Sequence, residues 1–389
     1  MTRSYRLVSG DSHLQVPADF WTDRVPAKHQ DLTPKRVRLP EGGEAIVAAD
    51  GSMYFGATGS YAGHTPEDFD PIRAFGYDHA VGSGPPLQRL REQDQDGVDA
   101  ELLFPGSSAT HGTRVKDRDA YLAMLRAYND YLADYCTESP DRLFGVGMLP
   151  NGDMDLKIAE AARLKARGIK ALGLYQYPAG EPYPTAEDDR FWAAAMDLQM
   201  PLCIHTSMSR GAGPLFRYPK MPEDGNLEDD FINRLYRHAN ASRCGSLTAC
   251  QMVFAGVWDR FPDLKIYFAE NNLGWIPFYL EQMDAEYAKN HFWAERYFGI
   301  PRLDRPPSEY IKEHAYWGFY DDPIGIKLRH EIGVAGIIWG SDFPHVVTHW
   351  PHSRRMLDQQ MAGVPEQERH RMEVGNVLEF LGLGGDSPL

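Results

Sequence analysis

Eight short apolar runs punctuate the chain, at residues 5–9, 100–104, 143–148, 169–174, 201–204, 264–269, 315–319 and 335–340. Amphipathic stretches separate them, and this alternation constrains the fold more than any other feature. Short apolar runs alternating with helical segments read as parallel strands joined by crossover helices. "YLAMLRAYNDYLADYCTES", from Tyr121, has apolar residues at helical spacing and stops before Pro140. "LKIAEAARLKARG", from Leu156, ends on Gly168, a common helix stop. "DDRFWAAAMDLQM", from Asp188, and "LTACQMVFAGVWDRFP", from Leu247, each read as one helix. Eight such units predict an α/β fold, the TIM-type (β/α)8 barrel.

A barrel of this kind takes about 250 residues, and the chain has 389. The surplus is expected in three insertions: about 14–97 after the first strand, about 210–246 after the fifth, and about 287–307 before the seventh. Within the first, "PEGGEAIVAADGSMYFG" reads as a small hairpin. No internal repeat or low-complexity tract divides the chain, so one domain over 1–389 is expected.

Composition narrows the partners. Lys and Arg number 40 against 55 Asp and Glu, a net charge of -15. An acidic chain of this kind argues against nucleic acid. No run approaches the roughly 18 apolar residues of a membrane span, and "MTRSYRLVSGDS" lacks the apolar centre of a signal peptide. The four cysteines, Cys136, Cys203, Cys244 and Cys250, form no CxxC pattern and read as thiols of a reducing compartment. The expectation is a cytoplasmic protein acting on a small molecule.

In a barrel, the carboxyl ends of the strands converge on the face that carries chemistry. The first strand leads into Asp11 and His13, and the fifth ends in His205. The sixth ends in Glu270, followed by Asn271 and Asn272; the eighth ends in Asp342, with His345 three residues on. Imidazoles and carboxylates are the ligand set of divalent Zn, Mn or Fe. Each residue taken singly has a plainer explanation: a strand-end Asp caps a helix, and a lone His is satisfied in a core. Their coincidence on one rim points instead to a metal site.

"GDSH" at 10–13, "IHTS" at 204–207, "RFPDLKIYFAENNLGWIP" at 260–277 and "IIWGSDFPH" at 337–345 resemble the amidohydrolase-related family of aminocarboxymuconate-semialdehyde decarboxylase and related aromatic-acid decarboxylases. "REQDQDGVDAELLFP", before the second strand, fits the same pattern. The resemblance runs in order along nearly the whole chain. It implies metal ligation by Asp11, His13, His205 and Asp342, with Glu270 as a further ligand, and a homodimer. This chain departs from the family's His-x-His or Glu-x-His opening, since its first member is Asp11. Counting His345, six donors are more than one ion takes easily.

The leading expectation is a metal-dependent hydrolase or decarboxylase. Asp342 is expected as ligand and proton carrier, with His205 and His345 beside it. His111, Arg114 and Tyr175 are candidates for gripping the substrate, and Trp275, Phe278, Trp317 and Phe319 for an apolar pocket. Two alternatives use the same rim: a dinuclear non-haem iron monooxygenase holding two Fe, and a non-catalytic binding barrel. His349 and His352 have no assigned role in any of these readings.

Overall fold

The computed structural model describes residues 4–17, 20–40, 42–51, 53–55, 61–65, 67, 80–106, 109–110, 113, 115–206, 208 and 244–384. All eight expected runs form strands: Val8–Leu14, Ala100–Pro105, Leu143–Met148, Ala171–Gly173, Leu202–His205, Ile266–Ala269, Ala315–Phe319 and Ile337–Trp339. They pair in chain order in one parallel sheet. Helices cross between them, as a parallel sheet requires.

The seam between the first and last strands is closed around residues 341–343. Ser12 bridges Phe343 in parallel, Asp342 N–H donates to Asp11 O over 2.9 Å, and His13 N–H donates to Phe343 O over 2.7 Å. Beneath these bonds the buried hydroxyls of Ser9, Ser12 and Ser341 lie 3.0–3.1 Å from one another. The result is a nearly closed (β/α)8 barrel.

Strand side chains alternate between faces. Ala100, Leu102, Phe104, Phe144, Val146, Cys203, Tyr267 and Ala269 fill the interior, and the C-terminal residues Val377 and Phe380 belong to the same core. Leu103, Leu202, Ile204, Ile266, Phe268, Trp317 and Phe319 point outward to the helices.

Two sequence expectations need correction. The stretch read as one helix from Leu247 is two, Cys244–Phe254 and Val257–Arg260. Gly256 between them sits at φ 63, a left-handed conformation that ends a helix. The stretch 287–307 begins as helix, because Ile276–Phe298 runs unbroken to Gly299. In the first insertion the hairpin Glu44–Val47/Met53–Phe55 gains a third antiparallel strand, Lys35–Arg38. Of the stretch 210–246, residues 210–243 lie outside the described residues.

Candidate metal centre

The first strand builds its part of the site through a bulge. Val8 pairs with Ala100 and His13 with Phe104, but the register slips between Ser9 and Ser12. One extra residue reverses which face the following side chains occupy. Val8 therefore points into the barrel, and so do Asp11 and His13, at odd spacings from it. Glycine 340 permits this path: a Cβ there would stand 2.6 Å from Asp11 Cβ. The sequence reading ended this strand at Ser9, whereas it continues through the site to Leu14.

A buried ion pair fixes the bulge from behind. Arg89 Nε donates to Glu101 Oε2 over 2.6 Å, and its Nη1 to His13 O over 3.1 Å. Gln93 and Ser12 also donate to Glu101. The guanidinium lies 4.4 Å from the centre of the Phe343 ring. Gln93 and Glu101 come from "REQDQDGVDAELLFP" and Arg89 lies two residues before it, so that part of the chain supports the site from below.

Two further donors, Glu270 and Asp342, and two residues near donors in the chain sit on strained backbone. Thr206 (φ 58), Glu270 (φ 56), Asn272 (φ 50) and Asp342 (φ 49) all adopt left-handed conformations. Non-glycine residues hold this region at a cost, and such strain clusters at functional sites. Asn271 ties two of the loops together. It accepts from Gly245 N–H and donates to Thr206 O and Ala269 O.

The six donors meet. His13 Nε2 lies 2.8 Å from His205 Nε2. His205 Nε2 lies 3.5 Å from Glu270 Oε1 and 3.8 Å from Asp11 Oδ1. Asp342 Oδ1 lies 3.0 Å from His13 Nδ1 and 2.9 Å from His345 Nδ1. The His345 ring lies tilted against the His13 ring, centre to centre 3.8 Å, and its Nε2 lies 3.2 Å from the buried Gln15 amide. Potential ligand atoms fall in two sets within 4.8 Å, one of His13, Glu270, Asp342 and His345, the other of Asp11, His13 and His205.

The electrostatics call for a cation. Burial, followed by the charge of Asp342, raises the Asp11 carboxyl well above its ordinary value. Burial, with Asp342 and Asp11 close by, does the same to Glu270. Burial also works to raise Asp342, but the neighbouring His345 and His13 override it and hold that carboxyl well below the usual range. Burial and the charge of His345 push His13 down, and burial brings His205 to about 4. Asp11 Oδ1 is buried without a hydrogen-bond partner among the described residues, and His13 Nδ1 meets the Asp342 carboxylate at 3.0 Å. A buried unpaired carboxylate oxygen and crowded carboxylates are costly in a bare protein. A divalent ion with N and O ligands satisfies both, so the residues present fit one.

Other expected residues lie elsewhere. Tyr175 lines a cleft of about 420 Å³ with Thr113, Lys116, Arg118 and Gln176, and none of the six donors lines it. His111 and Arg114 lie outside the described residues. Trp317 and Phe319 face the outer core, with Trp275 packed at 5.3 Å on Trp317, and Phe278 is 70% exposed, so these four form no pocket at the site. Period two predicts this outcome. If Tyr316 and Gly318 point inward, Tyr320 does too, and its phenol is pushed up by burial and by Glu270 and Asp342 nearby. Tyr320 is the site residue that the sequence reading missed. Phe104 supplies an apolar wall, with its ring 5.1 Å from His205 and 6.2 Å from His13.

Comparison with known proteins agrees with this fold. The amidohydrolase family model matches residues 11–383. A 2-amino-3-carboxymuconate-6-semialdehyde decarboxylase of Dictyostelium discoideum is 25% identical over 300 residues, 77% of each chain. A gamma-resorcylate decarboxylase of a Rhizobium species is 24% identical over 266 residues, 66% of this chain and 76% of its own. An amidohydrolase of Mycobacterium avium subsp. paratuberculosis shares the fold with a TM-score of 0.69 at 19% identity, over 98% of this chain and 100% of that one. A dihydroxybenzoic acid decarboxylase of Polaromonas sp. JS666, solved with manganese and 2-nitroresorcinol, has a TM-score of 0.60 at 17% identity, covering 98% of both chains. With the family pattern spanning nearly its full length on the matching barrel, the chain belongs to the amidohydrolase family.

Proposed function

We propose that this amidohydrolase-family enzyme is a metal-dependent decarboxylase of a small ring-borne or enol-type carboxylate. The observation that carries the reading is the convergence of six N and O donors, from the first, fifth, sixth and eighth strands, beside the Phe104 ring. The relatives named as decarboxylases support it, and the manganese of the Polaromonas enzyme makes manganese the first ion to test. A bound divalent ion polarises a substrate oxygen and lowers the pKa of a bound water.

The residues divide the remaining work. His13, His205 and Asp11, on the first and fifth strands, would hold the ion, with Glu270 as a further ligand. Decarboxylation releases CO2, leaves the bonding pair on the ring carbon and replaces the carboxyl group with a proton. Asp342 is the group assigned to carry that proton, because His345 Nδ1 lies 2.9 Å from its Oδ1 within the donor cluster. Phe104 presents an apolar wall to a ring. Tyr320, on the side of Glu270, is placed to hydrogen-bond a substrate oxygen.

The test is release of labelled CO2 from carboxyl-labelled ortho-hydroxybenzoates by the manganese-loaded protein. Ester or amide cleavage without CO2 would replace this reading with a hydrolase. The two donor sets sharing His13 keep a two-ion reading in view. Two irons per chain with dioxygen uptake would select the oxygenase.

We also infer a homodimer through the end of the long helix Ile276–Phe298. Phe292, Trp293, Tyr297, Phe298 and Ile300 there are between 44% and 70% exposed. At roughly 150–250 Å² for each buried aromatic, this face offers several hundred Å². That is the order of one side of a standard interface, about 800 Å².

A further inference from the structure

A groove of about 630 Å³ opens outside the metal centre, between the segments that follow the seventh and eighth strands. Its lining includes one carboxylate, Asp321, beside Lys327, Arg329, His349, His352, Arg355 and Gln360, and none of the six metal-site donors. The chain carries a net charge of -15, so a concave basic patch runs against its general character. Two of the basic groups are already engaged: Arg329 Nε pairs with Glu368 Oε2 over 2.5 Å, and His349 reaches Asp321 Oδ2 over 3.8 Å. Lys327 and Arg355 are in no ion pair with any described residue, although both line the groove. Two cations left facing one concavity make a site for negative charge.

We propose that this groove binds a small organic or inorganic anion, phosphate- or carboxylate-bearing, as a second ligand site apart from the metal centre. Lys327 and Arg355 supply the charge, and His349 and His352 add imidazole donors. Gln360 connects the groove to the rim. Its Oε1 accepts from Asp322 N–H over 2.5 Å and its Nε2 donates to Tyr320 O over 3.4 Å. Asp322 Oδ2 in turn accepts from Leu273 and Gly274 N–H, just after Glu270. An occupant therefore braces the turn that carries Tyr320 and the loop that carries Glu270.

Hydrogen exchange with mass-spectrometric readout on the metal-loaded full chain tests this, with inorganic phosphate and malonate as separate probes. The expected result is saturable protection of peptides covering 320–329 and 349–364. Lys327→Ala/Arg355→Ala should weaken it at least tenfold with metal content unchanged, and His205→Ala should retain it. Stronger protection by phosphate assigns a phosphate-bearing ligand, and stronger protection by malonate a carboxylate-bearing one. No saturable protection with either probe overturns the proposal. So does protection that persists in the double variant, or that is lost in His205→Ala, since the anion then sits elsewhere, in the latter case at the metal centre. None of these readouts uses decarboxylation, so failure of that reading leaves the test intact.

Discussion

His13 Nε2 faces His205 Nε2 across 2.8 Å, joining the first strand to the fifth across the barrel mouth. A neutral pair so close shares one proton, whereas two ligands of one ion both turn lone pairs toward it. Replacing His205 with Ala should therefore reduce bound metal at least about tenfold, the scale of a lost ligand-shell contact. Far-ultraviolet circular dichroism should stay unchanged, because a fifth of the His205 side chain is exposed at the rim. Full metal occupancy in this variant would remove His205 from the site.

His345 is predicted to act through Asp342. Its Nδ1 lies 2.9 Å from Asp342 Oδ1 and its Nε2 meets Gln15. His345→Ala should lower kcat by about 10²-fold, a typical worth of acid–base assistance, while leaving one ion per chain. A fall from two ions to one would instead make His345 a ligand of a second metal.

Arg89 is predicted to be the main polar brace of the fold beneath the site. Arg89→Ala leaves Glu101 buried without its charged partner, a change that costs about 3–5 kcal/mol. Urea unfolding should show this as a lower midpoint. Arg89→Met with Glu101→Leu should recover much of the loss, because the pair is then replaced by apolar volume. A midpoint unchanged by Arg89→Ala would show that the pair adds little.

Acidification should erase the stability that metal provides. In the metal-free protein Asp11 and Glu270 hold protons above the ordinary carboxylate range, first through burial. Raised values favour the metal-free fold at low pH, and that contribution is lost as pH rises through them. His205, lowered to about 4, works oppositely: its contribution is full above its unfolded value of 6.5 and is lost as pH falls toward 4. The ion requires all of these groups deprotonated, so its uptake releases protons. The Tm gap between metal-loaded and metal-free protein should narrow from about pH 7 to about pH 5. A constant gap would mean that these groups do not bind the ion.

Phe298→Glu with Phe292→Glu should shift the sedimentation coefficient from dimer to monomer with the metal retained. A wild-type monomer at micromolar concentration would dismiss the pairing.

The barrel was legible in the sequence because each strand is a local apolar run and each crossover helix carries its own period. Leu202, Cys203, Ile204 and His205 illustrate how far this reaches: alternation alone sends Cys203 and His205 inward. The same alternation applied to Ala315–Phe319 would have found Tyr320 and turned Trp317 and Phe319 away from the site. Composition suggested an aromatic pocket there, but it carries no facing. The donors at four strand ends were readable as residue types. That they share one rim followed from the barrel, but their distances did not, because these depend on a one-residue bulge at 9–12 and on left-handed turns at Glu270 and Asp342. Neither leaves a local pattern: the bulge is set by pairing with Ala100–Pro105 and by the buried Arg89–Glu101 pair, contacts made between residues far apart in the chain. The basic groove is decided the same way, since Lys327 and Arg355 become neighbours only when the segments after the last two strands pack side by side.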